Sequence, residues 1–98
     1  MNCNQTVICG KITEISGLRY TPAGVAVAEF KIDHASRQIE AGQERQVGCE
    51  LSAVALAQLA ERVGGMVPGI RVRLTGFLAR KSRMSLQLVL HVNNLEPI

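Results

Sequence analysis

Residues 69–92 contain two segments in which apolar and polar residues alternate, on either side of the cationic sequence Arg80-Lys81-Ser82-Arg83. Because successive side chains of a β-strand point to opposite faces, this alternation predicts a β-hairpin with positive charge at its tip. The first strand of the hairpin would bury Val72 and Leu74. Its opposite face would carry Arg71, Arg73 and Phe77.

Three further segments of the chain have the composition of strands. Residues 6–15 are rich in β-branched side chains, and Gly10 is expected at a bend or bulge of this first strand. A second strand is predicted over residues 25–33, with Phe30 on its apolar face. A third is predicted over residues 45–51, with Val47, Cys49 and Leu51 pointing inward. Phe30 is therefore expected in the core.

A long loop and a short helix complete the predicted order. Residues 34–44 are polar and show no sustained period, which predicts a loop between strands two and three. Ser52 offers an acceptor for the free amides of a helix start, and Gly64-Gly65 would end that helix. Apolar residues recur at helical spacing between them, at Leu56, Leu59, Ala60 and Val63.

The order β-β-β-α-β-β favours a mainly β fold, the five-stranded OB-fold barrel, with one short helix between strands three and four. The 98 residues, 47% of them hydrophobic, suffice for one core. We expect a single OB-fold domain over residues 1–98.

Positive charge is concentrated in the last third of the chain. Residues 69–98 hold five basic side chains and one carboxylate, whereas residues 1–68 hold six basic and seven acidic side chains. This distribution favours an electrostatic footprint for a polyanion. The alternative interpretation is a charged hairpin that only keeps the protein in solution.

The sequence offers little for catalysis, metal binding or membrane insertion. Cys3, Cys9 and Cys49 lack metal-binding spacing, and we interpret them as reduced structural thiols. No motif combines His34 or His91 with carboxylates, so we predict no enzyme, no cofactor and no metal. Without a signal peptide or an apolar run of about 20 residues, the protein is expected in the cytoplasm and not in a membrane.

A surface with guanidinium groups and an exposed ring suits single-stranded nucleic acid, whose phosphates and bases it can contact. Only Tyr20 and Phe77 are expected to be exposed rings, so phosphate contacts must contribute more than stacking. The candidate DNA-binding residues are Arg71, Arg73, Phe77, Arg80, Lys81 and Arg83, extended by Lys11, Arg19, Tyr20, Arg37 and Arg45.

Residues 18–28, LRYTPAGVAVA, resemble the second-strand hairpin of bacterial single-stranded-DNA-binding proteins. The small primosomal branch of that family, PriB, is a closer match over most of the chain. The matching segments are the TPAG turn, the Phe30 strand, Asp33-His34-Ala35-Ser36, Glu40-Ala41-Gly42, Arg45-Gln46, Thr75-Gly76-Phe77 and Val89-Leu90-His91.

The resemblance implies a homodimeric OB-fold that binds single-stranded DNA and helps the PriA helicase and other primosome proteins to reload the replicative helicase. It also implies that the DNA-contacting cations of the loop between strands four and five correspond to Arg80, Lys81 and Arg83. Stacking rings are not carried over, because Gly48 and Gln43 stand where some family members have aromatic residues.

Three hypotheses follow from the sequence. The first is a noncatalytic single-stranded-DNA binder that acts in replication restart. The second is a protein-interaction OB module that docks an acidic helicase surface and contacts DNA only weakly. The third is an OB-fold RNA binder, because phosphates and base faces are common to both polymers.

Overall fold

Six strands and one short helix make up residues 3–98, the part of the chain that this computed structural model describes. The elements are β1 (Thr6–Ile15), β2 (Arg19–Tyr20), β3 (Ala26–Glu40), β4 (Gln43–Leu56), α1 (Gln58–Gly64), β5 (Arg71–Arg80) and β6 (Leu88–Pro97). Five of the strands are long, and β2 is a two-residue strand that pairs with the start of β3.

The five long strands close into a barrel. Their order in the sheet is β1-β5-β6-β4-β3, and β1 also pairs with β3, which joins the two ends. Neighbouring strands are antiparallel except β4 and β6, which run parallel where Ala53 meets Leu90. This arrangement, with one short helix after the third long strand, is the OB-fold that the sequence predicts.

The barrel interior is filled from alternate positions of the strands. In β5, Val72 and Leu74 are buried while Arg71, Arg73 and Phe77 are exposed, as the alternation predicts. Phe30 is also buried, so its predicted place in the core is confirmed. Helix α1 packs on β3, β4 and β6 and contributes Ala60 and Val63 to the same core.

Gly10 lets β1 and β3 approach closely. A Cβ atom at this position would lie 2.8 Å from the carbonyl oxygen of Asp33, so a larger residue would push β3 away. The irregularity in the β1–β3 register lies slightly further on, between Ile12 and Glu14. The bulge predicted at Gly10 is therefore not at this residue, and the glycine is explained by the close backbone contact.

The predicted loop over residues 34–44 is wrong. Strand β3 continues to Glu40 and β4 begins at Gln43, so only Ala41 and Gly42 form the turn. Both have positive φ, 53° and 77°, as a two-residue hairpin turn of type I′ requires. The sequence shows no alternation here because most side chains on both faces of this hairpin end are exposed to solvent.

The predicted helix start at Ser52 is also wrong. Strand β4 extends from Gln43 to Leu56, and Ser52 pairs with Lys31 inside it. Helix α1 begins only at Gln58 and has no side-chain cap. Ala53 and Ala55 alternate into the core, and this burial in the sheet overrides their preference for helix.

The cysteines are not structural core residues. Cys3, Cys9 and Cys49 are all exposed and free. The inward direction predicted for Cys49 is wrong because this part of β4 pairs only with β3 and has left the barrel. Neighbouring Val47 and Leu51 are half-buried.

Candidate nucleic-acid interface

Exposed cations lie at the end of β5, at Arg80, and in the loop that follows it, at Lys81 and Arg83. The strand ladder continues to the pair Arg80 and Leu88, and the Lys81 N–H then donates to the carbonyl oxygen of Gln87 at 2.9 Å. The predicted hairpin is therefore present, with its cations at the tip.

The three tip cations have no carboxylate within 4.0 Å among residues 3–98. Five other basic side chains do, in the pairs Arg19–Glu29, Lys31–Glu14, Lys31–Glu50, Arg37–Glu44, Arg45–Glu40 and Arg73–Glu96. A carboxylate in an ion pair partly neutralises the cation. The pair must therefore be broken before the full charge of the cation can attract a phosphate. The tip cations have no such carboxylate to give up among residues 3–98.

Arg73 is the clearest case of a compensated cation. Its Nη2 donates to Glu96 Oε2 at 2.9 Å. This hydrogen bond and the opposite charge lower the pKa of the Glu96 carboxyl and raise the pKa of Arg73. The pair is therefore present at neutral pH and is lost only as the pH falls through the lowered pKa of Glu96.

Lys11 and Arg71 form a second basic site, distant from the tip. They are paired across β1 and β5, and both border a surface hollow that also contains Asp33. Arg71 and Arg80 are the two ends of β5, nine positions apart, which corresponds to about 30 Å of extended chain. The structure thus separates the outward arginines of β5 from the basic tip.

A cleft of about 330 Å³ lies beside the tip. Its lining includes Lys81 and His91, Arg19 and Thr21, and residues of strands β3 and β4. In OB-folds this strand face and its flanking loops bind oligonucleotides. Two of the basic residues that line the cleft, Arg19 and Lys31, are ion-paired. The uncompensated positive charge at the cleft therefore comes from Lys81.

The rings of Phe77 and His91 stack at the edge of this cleft. Their centroids are 5.0 Å apart and their planes differ by 8°. The two residues are directly paired across β5 and β6. They belong to a row of paired residues that crosses four strands, in the order Glu29, Val54, His91 and Phe77. The sequence assigns His91 no role beyond the lack of a catalytic motif. Its pairing with Phe77 depends on the true loop length, since the ladder ends at Arg80 and Leu88 and not at the four cationic residues of the predicted tip.

Comparison with known proteins identifies the family. A family model described as a single-strand binding protein family matches residues 4–94. The replication restart protein PriB of Nitrosomonas europaea is 48% identical over 96% of this chain and 87% of its own length. The chain belongs to the PriB family.

Solved structures agree with this assignment. A PriB structure from Ralstonia solanacearum superposes with a TM-score of 0.90 at 30% identity, over 98% of both chains. A single-stranded DNA binding protein from Thermus aquaticus shares the fold, with a TM-score of 0.77 at 22% identity over half of that protein. The family resemblance and the OB-fold prediction are both confirmed.

The remaining candidate residues of this PriB-family chain lie in two places. Tyr20 is exposed on β2 beside Arg19, next to the cleft. Arg37 and Arg45 lie on the β3–β4 hairpin and are paired with carboxylates of that hairpin. Because β4 and β6 run parallel, this hairpin and the β5–β6 loop leave the sheet in the same direction.

Residues 3–98 contain neither a metal-binding cluster nor a membrane-spanning helix. No cluster of three or more histidine, cysteine, aspartate or glutamate side chains has a geometry that could hold a metal ion. No helix there has the length and apolar character needed to cross a membrane.

Proposed function

We propose that this PriB-family chain is a noncatalytic single-stranded-DNA-binding component of the primosome that assists the PriA helicase in replication restart. The observation that carries the proposal is the group of three uncompensated cations, Arg80, Lys81 and Arg83, beside the OB-fold cleft. The names of its relatives support the place in replication restart. The chain would act as one OB-fold domain over residues 1–98, in the cytoplasm and without a cofactor.

The binding mode follows from the available groups. Each base that stacks on a protein ring contributes about 1–3 kcal/mol, and the exposed aromatic rings here are Phe77 and Tyr20. Phosphate contacts are not limited in this way, because the tip and its neighbours supply several cations. Electrostatic attraction to the DNA backbone is therefore the main term in affinity.

Affinity for a labelled single-stranded oligonucleotide is expected to be micromolar or tighter at low salt and to fall steeply as salt is added. Neutralising three to five phosphates gives a slope of log affinity against log salt of about −2 to −4. Fluorescence anisotropy at several salt concentrations measures this slope. A slope near zero, or no binding at low salt, would contradict the proposal.

Competition between matched DNA and RNA oligonucleotides tests the RNA alternative, because the 2′-hydroxyl is the systematic difference along the backbone. Stronger displacement by RNA would favour an RNA binder.

A helicase-docking module with weak DNA contact is the second candidate. Two observations favour it. The cleft cations Lys31 and Arg19 are ion-paired. Gly48 and Gln43 stand where some family members have aromatic rings that could stack on bases. Helicase binding that survives nuclease digestion and exceeds the affinity for DNA would establish this alternative.

We further propose that the chain forms a homodimer. Residues 6–8 of β1 pair with β5 on one side, while the β1–β3 pairing begins only at Lys11 and the His34 side chain already covers the carbonyl oxygen of Cys9 at 2.6 Å, so the other edge of residues 6–8 is open in residues 3–98. An open strand edge presents unpaired backbone groups that a second copy can satisfy. Sedimentation equilibrium is expected to give twice the chain mass of 10.6 kDa. A single-chain mass at micromolar concentration would contradict the dimer.

A further inference from the structure

The β5–β6 loop exposes large apolar side chains as well as cations. Met84 is 95% exposed, Leu86 is 90% exposed and Leu88 is 51% exposed. Single apolar residues on a surface are ordinary, but several together in one short segment indicate a contact surface. The proposed function, as argued from phosphates alone, gives these side chains no role.

The backbone of the loop holds these side chains away from the barrel. The Ser85 N–H donates to the carbonyl oxygen of Ser82 at 3.2 Å, which closes a turn with Arg83 and Met84 at its centre. The Gln87 N–H donates to Ser85 Oγ at 3.0 Å and supports the return to β6. The turn therefore presents a cation and an apolar side chain together at its outermost point.

Cations and apolar groups are interleaved along this segment, in the order Arg80, Lys81, Arg83, Met84, Leu86 and Leu88. A ligand that suits them must combine negative charge with apolar faces at short intervals. Single-stranded nucleic acid has this chemistry, because each nucleotide carries one phosphate and one base whose faces are free when the strand is unpaired. A second copy of the loop does not suit them, since the cations of the two loops would repel.

We propose that Met84, Leu86 and Leu88 contact the faces of the bases while the tip cations hold the phosphates. This inference rests on the proposed function and adds to it the side chains that contact the bases. The stacked rings of Phe77 and His91 lie nearer the barrel, and His91 also lines the cleft. They would extend the contact with the bases from the loop toward the barrel. Leucine and methionine are among the apolar side chains that minor-groove DNA-binding proteins insert between base steps, and methionine is flexible enough to fit irregular surfaces.

The double variant Met84→Ala/Leu86→Ala tests the inference. It is expected to lower affinity for an oligothymidylate about tenfold at every salt concentration, because apolar contact does not release counterions. The slope of log affinity against log salt should match that of the unmodified protein. Both side chains are at least 90% exposed, so the variant should fold normally, and thermal unfolding checks this.

An abasic strand of the same length supplies the decisive comparison. It keeps the phosphates and lacks the bases, so the variant and the unmodified protein should bind it equally. A matched control, Ile39→Ala/Val67→Ala, removes two apolar side chains that are each 74% exposed elsewhere on the surface. This control should bind oligothymidylate like the unmodified protein.

Each other result has a distinct meaning. Unchanged affinity of the loop variant, while the unmodified protein binds with a clear salt dependence, overturns this inference and leaves the proposed function standing. An equal loss on the abasic strand also overturns it, because the bases would not be the groups contacted. Loss of helicase binding with unchanged DNA affinity would assign the apolar side chains to a protein contact instead. Absence of DNA binding by the unmodified protein overturns both proposals.

Discussion

Replacing Arg80, Lys81 and Arg83 together by alanine is expected to lower affinity for single-stranded DNA at least tenfold at low salt. These three cations lack carboxylate partners in residues 3–98, so their full charge is available to phosphates. Losing three phosphate contacts should also make the slope of log affinity against log salt less steep by about 2. Anisotropy titrations at several salt concentrations measure both quantities.

A pair of matched double variants separates local contact from net charge. Arg80→Ala/Arg83→Ala and Arg37→Ala/Arg45→Ala each remove two arginines, but the second pair is already bound to Glu44 and Glu40. The tip variant should lose more affinity and more of the salt slope. Equal losses would show that only the net charge matters, and unchanged affinity in the triple variant would remove the tip from the binding site.

Replacing Gly76 by alanine is expected to destabilise the fold by about 3 kcal/mol, an overpacking effect. Gly76 lies at the irregularity in the β5–β6 ladder and is buried. A Cβ atom there would overlap the carbonyl oxygen of His91 and lie 3.1 Å from the Cα of Val92. These atoms belong to the backbone, so β6 itself would have to move.

Urea unfolding followed by circular dichroism measures this loss as a lower midpoint. Gly48→Ala is the matched control, because Gly48 is also in a strand but its Cβ atom would lie 3.7 Å from the His34 carbonyl oxygen. That change should stay within about 0.5 kcal/mol. A Gly76 variant with the midpoint of the unmodified protein would show that β6 adapts without cost.

Replacing Gly76 by alanine is also expected to disturb the stacked rings at the candidate nucleic-acid interface. Phe77 follows directly in the chain, and its ring stacks on His91, whose backbone the new methyl group would displace. The glycine therefore links the shape of the barrel to the ring pair at the cleft. Alternation alone could not predict this, because it shows which face a residue takes but not how closely two backbones approach.

Sequence reasoning succeeded in β5, where one face of the strand is buried, and failed over residues 34–44, where neither face is. It also failed at Ser52, although Ala53 and Ala55 alternate into the core, because alanine equally suits a helix. The alternation in β5 correctly separated Val72 and Leu74 from the exposed arginines, because the barrel interior excludes water. Residues 34–44 pair as a hairpin outside the barrel, so solvent meets both faces and leaves no pattern to detect. The inward direction predicted for Cys49 is wrong for the same reason, because this part of β4 has no core to face.

The sequence by itself determined the cationic hairpin, the place of Phe30 in the core and the family, since these depend on local alternation and on ordered motifs. Only the tertiary structure decided which cations are compensated. Strand pairing brings Arg73 to Glu96 and Arg19 to Glu29, although these partners are 23 and 10 residues apart in the chain. The same pairing brought His91 to Phe77. The tip cations remain uncompensated because the fold brings no carboxylate of residues 3–98 within 4.0 Å of them.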